Sequence, residues 1–145
     1  MGINQGALGV ITWVNPNPEY INIAASEFAL SLPKLTPFFF SAPSVRSNYL
    51  VGGVDIATWA TGGETLVLAA NTYYITSTVT WKDIGLDGVS VETAYTSGSV
   101  ATTGSGFTLD SVASGAFIVG SEDSSTVAIG KRLHQRRANA RPHEH

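Results

Sequence analysis

Between Thr72 and Trp81 the side chains alternate with a period of two: Tyr73, Ile75, Val79 and Trp81 on one face, Thr72, Tyr74, Thr76, Thr78 and Thr80 on the other. That pattern predicts a β-strand with one apolar and one hydroxyl-rich face. The neighbouring chain reads as further short strands separated by turns. Tyr49–Val51 and Val54–Ala60 flank Gly52-Gly53, a pair that tolerates the positive φ angles of a tight hairpin. Gly62-Gly63 makes the next turn before Thr65–Ala69, and Asn71 turns the chain into the alternating stretch. After a turn at 82–88, Val89, Val91, Thr93 and Tyr95 oppose Ser90, Glu92 and Ala94 in another strand. Weaker strands are expected at Val100–Thr102 and Phe107–Asp110, and closing strands at Ala116–Val119 and Thr126–Ile129, with an acidic turn over 120–125. Turns every eight to twelve residues point to an antiparallel sandwich or barrel. A parallel β-helix competes, but no fixed repeat length supports it.

The first third reads differently. Val10, Thr12 and Val14 oppose Ile11 and Trp13, which predicts a strand at Ala7–Val14, and the Asn15-Pro16-Asn17-Pro18 run ends it. Asn17, Pro18 and Glu19 form a plausible helix start, and Ile21, Ala24, Ala25, Phe28 and Leu32 recur at helical steps. A helix from Pro18 to Leu30 is expected, with a strand at Tyr20–Ala24 as its rival. Residues 32–44 hold three prolines around Phe38-Phe39-Phe40 and read as an extended, proline-pinned segment. Those phenylalanines either pack along another surface or tuck into the protein's own core. The predicted organisation is an N-terminal strand, possible short helix and Pro/Phe-rich arm over 1–47, an all-β domain over 48–130, and a basic tail over 131–145.

Composition sharpens this picture. Charged residues make up 13% of the 145 and hydrophobic ones 43%, against about 25% charged in an average soluble domain. So few charges leave apolar or hydroxyl surface that another subunit is expected to cover. The absence of cysteine excludes disulfides, thiolate metal sites and thiol catalysis. The N-terminal residues lack a basic n-region and a long apolar core, so no secretory leader is expected, and no apolar run approaches the length of a transmembrane helix. Charge is also unevenly placed. Residues 131–145 hold five basic side chains against Glu144, a net of +4, while the other 130 carry three basic and ten acidic ones, a net of −7.

Candidate chemistry is sparse. Asp55, Glu64, Asp83, Asp87, Glu92 and Asp110 fall in or beside turns and read as turn-formers and solubilising charges. His134, His143 and His145 all lie in the tail, where no predicted packing would hold a general base or a metal. No phosphate-binding loop occurs, and no cofactor is expected. Trp13, Trp59, Trp81, Tyr73, Tyr74 and Tyr95 could supply sugar-stacking platforms, but Tyr74 alone stands on the hydroxyl face, so it is the candidate glycan contact. The tail suits an acidic protein surface better than nucleic acid: it has no aromatic to stack on a base, and the body is itself acidic.

In overall character the chain resembles virion structural proteins of tailed bacteriophages, of the head decoration or cement kind. The resemblance lies in the cysteine-free, charge-poor, Gly/Ser/Thr/Val-rich body from Tyr49 to Ile129, the apolar proline-broken arm and the short charged tail. It implies a non-enzymatic, β-rich homotrimer on the capsid surface that stabilises the head by bridging major capsid protein subunits. On that view Phe38, Phe39 and Phe40 anchor the arm and Arg132, Arg136 and Arg137 clamp it electrostatically. A glycan- or receptor-binding module of a phage tail or fibre would share this composition.

Overall fold

The computed structural model describes residue 4 and residues 19–41, 43–87 and 90–120. Helix α1 spans Glu19–Phe40. Eight strands follow: β1 Val45–Val51, β2 Val54–Thr61, β3 Glu64–Asn71, β4 Ser77–Thr80, β5 Ser90–Ser97, β6 Val100–Thr103, β7 Gly106–Leu109 and β8 Ser114–Gly120. They form two antiparallel sheets, one of five strands in the order β1-β2-β3-β8-β5 and one of three in the order β4-β7-β6. The protein is therefore mostly β, and the antiparallel pairings set aside the β-helix alternative.

The five-stranded sheet is the middle layer. On one face Val54, Ile56, Val67, Ala69, Phe117 and Val119 pack against Val79, Phe107 and Leu109 of the smaller sheet and against Trp81 and Ile84. Trp81, Phe107 and Phe117 form an aromatic centre with ring centroids 4.8 to 5.8 Å apart. On the other face Ala57, Trp59, Leu66, Leu68 and Ala116 pack against Leu35 and Phe38 of α1. Because both faces are covered, β3 and β8 read as continuous apolar runs, TLVLAA and AFIV, in place of a polar alternation.

Helix α1 overturns the extended reading of residues 32–44. Phe28, Ser31, Leu32, Leu35, Phe38 and Phe39 recur at three- and four-residue steps, and the sheet buries or half-buries all of them. Pro33 and Pro37 stand on the exposed side. Burial of the opposite stripe offsets the roughly 3 kcal/mol that each internal proline costs a helix. The chain then turns into β1, with Ser44 N–H bonded to the Ser41 carbonyl.

The ten-residue strand expected at Thr72–Trp81 is also corrected. Only Ser77–Thr80 is strand; residues 72–76 form a loop and Trp81–Ile84 a short 3-10 helix. That helix is fixed by a capping box, in which Asp83 N–H donates to Thr80 Oγ1 and Thr80 N–H to Asp83 Oδ2. In β5 a bulge at Ala94 shifts the register between Thr93 and Tyr95. Tyr95 thereby leaves the face it was expected to share with Val91 and joins the cluster beneath α1. The two glycine-pair hairpins form as expected, and Gly52 and Gly53 have φ of 55° and 81°. The expected strands at Ala7–Val14 and Thr126–Ile129, the turn over 120–125 and the basic tail lie outside the described residues.

Candidate functional site

At one end of the sandwich three loops are tied together by the buried side chain of Asn71. Its Nδ2 donates to the carbonyls of Ile75 (2.6 Å), Asp110 (3.0 Å) and Leu109 (3.3 Å), and its Oδ1 accepts from Tyr73 N–H (3.0 Å). Thr72 adds its N–H and Oγ1 to the Gly53 carbonyl, Ser77 Oγ donates to the Gly52 carbonyl, and Val112 N–H reaches the Tyr73 carbonyl. One amide side chain near the centre thus satisfies loop backbone that no strand pairs.

This network displays apolar groups outward. Tyr73, Tyr74, Ile75 and Val112 are 54%, 87%, 63% and 63% exposed. Tyr73 lies so close over Gly53 that a β-carbon there would sit 2.2 Å from its ring, so the loop is seated on that glycine. Asp110, at the loop base, accepts from Ser111 N–H and Thr76 Oγ1, and these bonds hold its carboxyl below the ordinary value of 3.8. The result is a preformed aromatic and aliphatic tip with an anionic group beside it. Tyr74 is available as the sequence predicts. Tyr73 and Ile75, expected on a buried face, are available too, whereas Trp59, Trp81 and Tyr95 are occupied in packing.

A second open surface is the N-terminal part of α1. Every residue from Glu19 to Glu27 is exposed, and Tyr20, Ile23 and Leu30 are among the large apolar side chains left in solvent. The helix first meets the sheet at Phe28, whose ring meets Tyr95 edge-on at 5.3 Å, and Lys34 pairs with Glu92 of β5. The three phenylalanines expected to act together are separated by the helical turn. Phe38 is buried under the protein's own sheet, Phe39 packs edge-on to Trp59 at 4.9 Å, and Phe40 alone points out, 67% exposed. Arg132, Arg136 and Arg137 lie outside the described residues.

At the opposite end, a cleft of about 1270 Å³ opens between the β2–β3 turn, the 3-10 helix and the β6–β7 turn, with Glu64, Lys82 and Asp87 on its rim. Asp83, next to Lys82 in the 3-10 helix, is held below 3.8 by hydrogen bonds to the backbone and side chain of Thr80 and serves the capping box. Among the described residues no three acids or histidines gather as a metal set. Asn71, the organiser of the tip, was legible only as a turn residue; its burial next to a carbonyl-rich loop is a tertiary fact.

No family model matches the chain, and no curated protein matches it. Among solved structures, a crystal structure of a MutB mutant soaked with trehalulose overlaps it with 24% identity and a TM-score of 0.49, over 75% of this chain and 22% of that one. The chain thus spans about a fifth of that structure's length.

Proposed function

We propose that this protein is a non-enzymatic structural subunit whose work is to hold an assembly together, in the manner of a phage capsid decoration protein. The observation that carries the reading is the apolar surface left open on ordered structure: Tyr20, Ile23 and Leu30 on α1, Phe40 at its end, and the tip of Tyr73, Tyr74 and Ile75. Surface of this kind, on a chain with only 13% charged residues, gains about 25 cal/mol per Å² when a neighbour covers it. Bridging coat subunits through it stabilises a shell by mass action and needs no chemistry. Three of the described acids, Asp83, Asp110 and Glu92, have structural partners, which fits this role.

The test is co-sedimentation of the purified chain with heads of its own phage stripped of accessory proteins. Binding at a fixed ratio to coat subunits, weakened in a Tyr20→Glu, Ile23→Glu, Leu30→Glu variant, is the expected result. A folded chain that stays in the supernatant contradicts the reading. A second reading, a glycan- or receptor-binding module, is favoured by one observation: Tyr74 stands 87% exposed on a loop pinned from below. A glycan-array signal that Tyr74→Ala removes would support it.

A further inference from the structure

The two ends of the five-stranded sheet are treated differently. At the β5 edge the ladder is broken by the bulge at Ala94, and Glu92 is paired to Lys34 of the overlying helix, so a foreign strand meets a kink and fixed charges. The edges of the smaller sheet, β4 and β6, are each four residues long. Among the described residues the β1 edge has none of these protections. It runs seven residues, Val45–Val51, in unbroken register with β2 and without proline. Its single cation, Arg46, is turned back over the sheet, where it donates to the Asn4 carbonyl and lies 5.7 Å from the centre of the Trp59 ring.

The hairpin fixes which groups this edge offers. Gly52-Gly53 is a two-residue connection, so Val51 and Val54 exchange both backbone bonds, as do Tyr49 with Ile56 and Ser47 with Thr58. The N–H and C=O groups of Arg46, Asn48 and Leu50 therefore point away from β2, toward a side on which no described strand pairs. Leu50 is also 75% exposed.

We infer that β1 is a self-pairing edge: two copies of this chain join antiparallel through it, about a two-fold axis at Asn48, and continue the five-stranded sheet across the contact. This specifies the self-contact of the assembly reading above, and it replaces the trimer implied by the resemblance with a two-fold pair. The register is self-complementary. It sets Asn48 opposite the second Asn48 and Arg46 opposite Leu50 of the other copy, so every outward N–H meets an outward C=O. It keeps the two arginines from facing each other, and on the opposite face it brings Val45 against Val51 and Ser47 against Tyr49.

The experiment measures the mass of the full chain by light scattering, maps its amide exchange, and repeats both for Leu50→Lys and Asn48→Pro. Neither variant removes a β1–β2 ladder bond, since Leu50 is exposed and the Asn48 N–H faces outward; Asn48→Pro also gives up the Asn48 Nδ2 bond to the Asn4 carbonyl, which Leu50→Lys keeps. The wild type is expected at twice 15.2 kDa with slow exchange at Arg46, Asn48 and Leu50, and both variants at the single mass with unchanged circular dichroism. A double-mass protein that both folded variants leave intact places the contact elsewhere and overturns the inference while sparing the assembly reading. A monomer with those amides protected means the chain covers its own edge, and a monomer with them unprotected means the edge is bare; each overturns the inference. Head binding is read separately by co-sedimentation, so the two proposals fail independently.

Discussion

Asn71 shows how much one side chain can decide. Replacing it with alanine leaves buried carbonyls and the Tyr73 N–H without partners, and such groups cost about 1 to 3 kcal/mol when orphaned. Asn71→Ala is expected to lower stability in urea by about 2 to 3 kcal/mol and to release the tip, which tyrosine-ring NMR would register as loss of fixed shifts. Val112 makes the reverse case. It holds a φ of 51° with its side chain exposed, a conformation that strains a β-branched residue by roughly 1 kcal/mol or more. Val112→Gly is accordingly expected to stabilise the fold by about 1 kcal/mol in the same assay. Asp83 and Asp110 have carboxyl values below 3.8, lowered by hydrogen bonds to Thr80 and to Ser111 and Thr76 respectively. The folded state thus favours the anion. Its contribution is fully present above 3.8 and disappears as pH falls through the lowered values. Carboxyl NMR titrations should place both midpoints below 3.8, with Thr80→Val raising Asp83 alone.

At the scale of the elements, the helix and the tip loop show where local pattern stops being decisive. The stripe Phe28, Leu32, Leu35 and Phe39 is visible in the sequence, but Pro33 and Pro37 argue locally against a helix, and only the sheet beneath overrides them. Pro37→Ala should then stabilise the protein by about 1 to 3 kcal/mol, since it restores a backbone bond on the exposed side without touching the buried one. Phe38→Ala, which empties a buried site, should cost about 3 to 5 kcal/mol. A Phe38→Ala variant that melts like the wild type would mean the helix does not pack as described. The hairpins at Gly52-Gly53 and Gly62-Gly63 were legible because glycine pairs between alternating runs have few other uses. The period of two from Thr72 to Trp81 misled because it records two separate things. Val79 alternates within a real strand, while Tyr73 and Ile75 lie in a loop that Asn71 closes. The covered faces of the middle sheet had a signal that alternation hides: the continuous runs of β3 and β8 require a layer on each side.

For the whole molecule, the described body has two filled cores and still leaves large apolar side chains outside, on α1 and at the tip. The low charge fraction announced that surface, but its location could not be read from the sequence. It depends on where the helix runs beyond the sheet and on which loop the buried asparagine pins. The phenylalanine cluster shows the limit well: three consecutive rings look like one anchor, and the helical turn assigns them to core, packing and solvent. Helix α1 is thus no detachable arm, because Leu35 and Phe38 belong to the core beneath it. The central claim is that this chain's exterior is completed by neighbours. Sedimentation of the intact protein, alone and with stripped heads, tests it most directly. A species that is a whole multiple of 15.2 kDa, or one that travels with the heads, is the predicted result; one unchanging 15.2 kDa species that stays free of the heads at every concentration would contradict it.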